Sequence, residues 1–298
     1  MSTSKRLTQV FQSAPEIHFD DRSKFILFSD CHRGDNSWAD DFANNQTLFF
    51  HALKHYYHQG FTYIEIGDGD ELWENSSFAN IRRAHSHVFW LLRKFYIQDR
   101  FHLIWGNHDM ERKDPETVKR TLYRFRNERT GEYEPLFEGI QPREGLVLRH
   151  VDTGVKVFLV HGHQGGLLND RWWRLSRFFV RYLWRHVQLL GVKDPTSPAQ
   201  NLKKRNEVER KITQWVEANH HILIAGHTHQ PRFPAQGAPP YFNTGSCVHP
   251  RCVTGIEIQD GEIALIKWWV KPDAAGMLHV AREVLVGPEK LQAVSPGN

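Results

Sequence analysis

Lys24-Phe25-Ile26-Leu27-Phe28-Ser29-Asp30-Cys31-His32 begins as an apolar run and ends in two side chains able to bind a metal ion. A short run that is continuously apolar, rather than alternating, predicts a strand covered on both faces. The unit recurs. Phe61-Thr62-Tyr63-Ile64-Glu65-Ile66 runs into Gly67-Asp68, and the stretch from Phe101 to Trp105 ends in Gly106-Asn107-His108-Asp109. Helices are expected between these strands, from Asp41 to Tyr57 with Gly60 as the stop, and from Phe78 to Ile97. Strand, polar motif and helix in repetition predict an α/β fold. Its polar motifs fall at the carboxyl ends of strands, where open α/β sheets place their sites.

Outward from this half the pattern continues and then breaks. Asp114 to Asn127 reads as a helix with Pro115 in its first turn. A hairpin around Asp152-Thr153-Gly154 leads into His161-Gly162-His163. Residues 167–219 read as helical, interrupted at Gly191 and at Asp194-Pro195-Thr196-Ser197-Pro198. His221 to Ala225 restores a strand and delivers Gly226-His227-Thr228-His229. Strands follow around Tyr241 to Thr244, Cys252 to Ile258 and Glu262 to Trp269, the last two joined by the hairpin dipeptide Asp260-Gly261. The expected organisation is a core of residues 22–166 and 220–272, a helical cap insertion of residues 167–219, and flexible termini at 1–21 and 288–298.

The five motifs supply two Asp, one Asn and four His, a mixture of hard oxygens and imidazoles that suits two divalent first-row ions better than one. Asp30 and His32 lie one residue apart just past a strand, where the pleat no longer forces them to opposite sides. They are expected on a first ion with His229. Asp68 is placed as the bridging carboxylate, and Asn107, His161 and His227 complete the second ion. The neutral amide of Asn107 keeps the site's negative charge low enough to admit a phosphate. Each motif alone reads more simply as a turn; the order of all five, each after an apolar run, carries the metal reading.

A formal charge of +4 makes no case for nucleic acid, and 40% hydrophobic with 24% charged residues is ordinary for a globular chain. Cys31, Cys247 and Cys252 form no even framework and no C-x-x-C pair, which points to a reducing, cytoplasmic compartment. No apolar h-region precedes Arg22, and no apolar run approaches the ~18 residues of a spanning helix.

The motif order Asp-x-His, Gly-Asp, Gly-Asn-His-Asp, His, Gly-His-x-His resembles the calcineurin-like metallophosphoesterases over roughly Lys24 to Trp269. The resemblance implies a four-layer α/β/β/α sandwich of two facing sheets. It implies two divalent ions, Mn foremost, with Fe, Zn, Ni, Co or Mg as alternatives. Gly67-Asp68-Gly69-Asp70-Glu71-Leu72-Trp73 is similar to the Gly-Asp-x-x-Glu-x-Trp variant of the branch containing UDP-2,3-diacylglucosamine pyrophosphohydrolase. That enzyme usually carries Arg at the position of His108 and Asp at that of His163. The implied chemistry is attack on phosphorus by a hydroxide bridging the two ions, with His108 as the acid on the leaving oxygen, oriented by Glu71 or Asp70, the family spacing favouring Glu71. Arg33 is expected either to contact a substrate phosphate or to pair with Asp35 or Asp40.

In the insertion, Arg171, Arg174, Arg177, Arg181 and Arg185 share one helical stripe amid Trp and Leu. The stripe is either a solvated face, or a cap whose Arg171 and Arg174 bind substrate and which touches a membrane surface from the cytoplasm. The leading expectation is hydrolysis of a phosphodiester or pyrophosphate in a phosphorylated small molecule or lipid-nucleotide. A phosphomonoesterase, protein Ser/Thr phosphatases included, is the alternative within enzymes. An inactive scaffold of the same fold is the alternative outside them.

Overall fold

The computed structural model describes residues 2–166 and 202–295. The chain opens with α1 (Thr3–Ser13) and β1 (Glu16–Phe19), then enters the repeating half: β2 (Phe25–Phe28), α2 (Gln46–His58), β3 (Thr62–Ile66), α3 (Phe78–Ala84), α4 (Ser86–Ile97) and β4 (Phe101–Ile104). After α5 (Pro115–Leu122) come a small hairpin, β5 (Arg124–Arg126) and β6 (Tyr133–Pro135), and a larger one, β7 (Gly145–His150) and β8 (Lys156–Val160). The remainder is α6 (Leu202–Asn219), β9 (Ile222–Ala225), β10 (Tyr241–Asn243), β11 (Cys252–Gln259), β12 (Glu262–Pro272), β13 (Leu278–Lys290) and α7 (Leu291–Val294).

Two sheets face each other. One has the order β13-β12-β11-β2-β3-β4 and the other β1-β7-β8-β9-β10. In the first, β2, β3 and β4 are mutually parallel; in the second, β8, β9 and β10 are. Alternation within the apolar runs fills two layers at once. Phe25 and Leu27 point between the sheets with Ile64, Ile66, Leu159 and Ile224, while Ile26, Phe28 and Tyr63 face α2 and α4. The outer face of the five-stranded sheet is closed by α1 and α6, through Leu7, Val10, Ile212, Trp215 and Val216. Helix, sheet, sheet, helix is the four-layer arrangement.

Several expectations need correction. Of the flexible terminus expected at 1–21, the described part is packed: Leu7 and Val10 are buried, and β1 pairs in parallel with β7. Of the flexible terminus expected at 288–298, the described part is packed instead: β13 runs through Lys290 as the edge strand on β12 and Leu291 is buried. Residues 202–219, expected in the cap, form α6 against the sheet. The expected helix from Phe78 to Ile97 is two helices. Between them the buried His85 bonds Asp40 (2.8 Å) and Gln46 (3.3 Å) and leaves helical geometry. Likewise the helix expected to reach Asn127 stops at Leu122, although its start is as read: Pro115 follows the cap Asp114, whose carboxylate accepts from Thr117 N–H at 3.0 Å. Asp260-Gly261 is the hairpin turn between β11 and β12, with both residues at positive φ. All three cysteines are free thiols. Among the described residues no helix is long and apolar enough to cross a membrane.

Candidate metal centre

Both sheets deliver polar loops at the carboxyl ends of their parallel strands. β2 gives Asp30 and His32, β3 gives Asp68, and β4 gives Asn107 and His108. β8 gives His161, and β9 gives His227 and His229. The backbone of these loops is unusual. Asp30, His32, Asp68, His227 and His229 all have φ between 46° and 67°, the left-handed region that costs a side-chain-bearing residue energy. The turn after β2 is held to the turn after β3 by Asp30 N–H to Gly67 C=O (3.1 Å), His32 N–H to Asp68 C=O (2.9 Å) and Arg33 N–H to Gly69 C=O (3.0 Å). Close approach explains two glycines. A side chain at Gly106 would collide with the Asp68 carboxylate, and one at Gly226 with that of Asp30.

The side chains gather as the motifs imply. Asp30, His32 and His229 form one group and Asp68, His161 and His227 another, each with its donor atoms within 4.8 Å of one another. Asp68 stands between the groups, its Oδ2 3.0 Å from His161 Nε2 and 3.9 Å from His32 Nε2. Neighbours fix the non-coordinating atoms. Asp30 Oδ2 accepts from His227 N–H at 2.9 Å and from the Ser29 hydroxyl, Asp68 Oδ1 accepts from His108 N–H at 2.8 Å, and His161 Nδ1 lies 2.9 Å from Ile66 C=O. What remains is chemically telling. Asn107 Oδ1 is buried with no hydrogen-bond partner, while the buried Asp30 Oδ1 and His161 Nε2 face other members of the cluster, His229 Nε2 at 3.1 Å and Asp68 Oδ2 at 3.0 Å. A buried polar atom is seldom left without a partner, and a divalent cation satisfies all three. The residues therefore fit the ions that their chemistry implies.

Charge follows the same arrangement. Burial opposes a proton on His161, yet Asp68 and Asp30 raise its pKa to about 9. On His227, burial and the neighbouring His161 lower it to about 3. Against burial, Asp30 and Asp68 are held well below the usual carboxylate range by histidines. A proton on His161 thus stands in for part of the positive charge that the carboxylates favour.

Beside the two groups lies a third, His32, Glu71 and His108. Glu71 bonds His108 Nδ1 at 2.8 Å and His32 Nδ1 at 2.7 Å, one carboxylate orienting two imidazoles. His108 and His32 keep Glu71 at about 2 in spite of its burial. Burial also opposes charge on His108, but Glu71 and Asp68 raise its pKa. Trp73 stacks on the His108 ring, centroids 4.3 Å apart and planes at 22°.

Arg33 is a correction. Its guanidinium does not face the cleft, nor does it pair with Asp35 or Asp40. It is 1% exposed, with Nη1 and Nη2 on Glu65 (2.7 and 2.8 Å) and Nε on Asp70 (2.8 Å). Asp70 is in turn bonded by Arg112, and Tyr63 donates to Glu65 at 2.8 Å. Sequence reasoning missed this buried network, and also the role of Asp109. That carboxylate ties Gly106 N–H (2.6 Å) to Gly69 N–H (3.0 Å), bracing the loops of β3 and β4; burial and Asp68 raise its pKa to about 6. Its place in Gly-Asn-His-Asp was the available signal. His163, ungrouped with the ligands, is fully buried with neither ring nitrogen partnered. Arg171 and Arg174 lie outside the described residues.

Comparison with known proteins gives one strong result. The profile of the calcineurin-like phosphoesterases matches residues 23–231. No curated protein matches the chain. Among solved structures, Vps29 from Chaetomium thermophilum aligns with a TM-score of 0.37 at 11% identity, over 89% of this chain and 97% of its own. A putative 5'-nucleotidase from Staphylococcus aureus aligns with a TM-score of 0.37 at 19% identity, over 88% of this chain; the match spans 53% of the nucleotidase.

Proposed function

The chain belongs to the calcineurin-like phosphoesterase family, and on that premise we propose that it hydrolyses a phosphodiester or pyrophosphate bond using two divalent ions, manganese foremost. The observation that carries the reading is the pair of ligand groups meeting at Asp68, with buried donor atoms in each turned toward one another. Ions held there would supply an acidified water near neutral pH and neutralise charge on the phosphoryl oxygens.

The chain's own residues do the rest. Asn107 contributes an oxygen without adding negative charge. Glu71 stays ionised throughout the physiological range and anchors Nδ1 of His108, leaving Nε2 to give a proton to the departing oxygen. Stacking on Trp73 limits the ring's rotation, so the donor atom is aimed before substrate arrives. Within this class the Gly67-to-Trp73 segment favours a nucleotide-lipid pyrophosphate of the kind cleaved by UDP-2,3-diacylglucosamine pyrophosphohydrolase. The free cysteines suit a cytoplasmic enzyme that reaches substrate at a membrane surface.

The test is turnover of bis-p-nitrophenyl phosphate with added Mn. Asn107→Ala and His108→Ala are each expected to lower it, the latter by about 10²–10⁴-fold. Full turnover in both variants would sink the assigned site. A preference for p-nitrophenyl phosphate over the diester would favour the phosphomonoesterase reading, and no turnover of either, with no metal retained, the scaffold.

A further inference from the structure

One residue past Glu71 the chain enters the wall of a separate cavity of about 720 Å³ that includes none of the metal-centre ligands. Its walls come from the start of α3, the turn of Met110–Lys113, α5 and the β5–β6 hairpin. Six arginines line it against two glutamates. Two of the six are already used: Arg82 pairs with Glu128 over the Phe125 ring, and Arg112 with Asp70 over that of Phe78. The other four, Arg83, Arg120, Arg124 and Arg126, make no ion pair among the described residues. Three of them bond neutral groups, Arg83 to Asn80, Arg120 to Thr117 and Arg126 to the Gly131 carbonyl. Four guanidinium groups from three elements line one concavity, a surplus of positive charge that an anion would offset.

We propose that this cavity is a second binding site, for a small molecule carrying a pyrophosphoryl group. Guanidinium forks match phosphoryl oxygens in pairs, and arginines on α3, α5 and the hairpin can grip two adjacent phosphoryl units from different sides. The volume falls in the range of small-ligand sites. A concave pocket closed by a hairpin, rather than a basic stripe across a surface, favours a compact anion over a nucleic-acid backbone. Tyr133, exposed at the hairpin, offers a ring against which a base could stack.

Titration calorimetry of the full, Mn-loaded protein with methylenediphosphonate, which cannot be hydrolysed, tests the idea. Wild type is expected to show two classes of site, one at the metal centre and one here. Arg124→Ala/Arg126→Ala should weaken the second class by about tenfold or more and leave the first, and diester turnover, unchanged. Adding the α,β-methylene analogue of ADP distinguishes sources: tighter binding than the diphosphonate assigns a nucleotide, equal binding a free pyrophosphoryl anion. Identical isotherms for wild type and variant would overturn the proposal, as would displacement of the diphosphonate from this class by a short oligonucleotide that binds more tightly. Because diester turnover is measured in parallel, failure here is distinguishable from failure of the hydrolase reading.

Discussion

Arg33 shows how a single side chain changes meaning once its neighbours are known. Next to His32 in sequence it looks like a phosphate contact. In the fold it is the centre of a buried network with Glu65 and Asp70, partners on another strand and its loop. Removing one member of a buried ion pair leaves its partners uncompensated, at a typical cost of about 3–5 kcal/mol. Arg33→Met should therefore lower the unfolding free energy from chemical denaturation by an amount of that order while KM for the diester stays unchanged. A raised KM at full stability would return Arg33 to the cleft. The seven ligand candidates were legible because each ends an apolar run, a local pattern. The partners of Arg33 were not, because nothing local relates residue 33 to residues 65 and 70. Left-handed backbone at Asp30 or His229 was equally invisible, since no glycine marks it.

Among elements, the strands and helices of the repeating half could be read from hydrophobic pattern, and those at the ends could not. Residues 3–13 offer only Leu7, Val10 and Phe11 as an apolar stripe, too sparse to separate from a frayed terminus until the sheet they cover is in view. β13 was hidden by Gly287-Pro288, a turn signal that an edge strand tolerates because one side needs no ladder hydrogen bonds. α6 is the informative case. Reading it as cap would make it dispensable for stability, whereas Trp215 is 1% exposed and donates to Thr8 Oγ1 at 2.9 Å. Trp215→Ala is expected to cost about 3–5 kcal/mol in chemical denaturation. A loss of activity with stability intact would place α6 in the cap instead.

For the molecule as a whole, the two sheets converge on a cluster of charge that is incomplete without cations, so metal and proton should compete. His161, raised to about 9, contributes stability to the metal-free protein that is fully present below the unfolded pKa of ~6.5. That contribution is lost as pH rises through about 9. Metal affinity runs the other way, because binding must displace this proton. The rise in melting temperature on adding Mn to chelator-treated protein should thus be larger at pH 8.5 than at pH 6.5, by scanning fluorimetry. An equal or smaller rise at the higher pH would mean that His161 does not exchange its proton for the ion. The α/β character was legible from the strand-motif-helix repeat and the two facing sheets only through the family resemblance; the proton linkage was not legible, because it depends on distances between loops of opposing sheets.

The five left-handed residues of the candidate metal centre carry one more implication, for anyone wishing to harden this protein. Non-glycine residues in that conformation are disfavoured by roughly 1–2 kcal/mol each, so the loops resemble a clasp kept under tension. Glycine occupies the same backbone geometry freely. His229→Gly should sacrifice metal retention yet melt no lower than the chelator-treated parent, whereas His229→Ala, keeping the tension, should melt below the glycine variant. At these five positions the durability of the scaffold and its grip on metal are then opposed in the backbone itself.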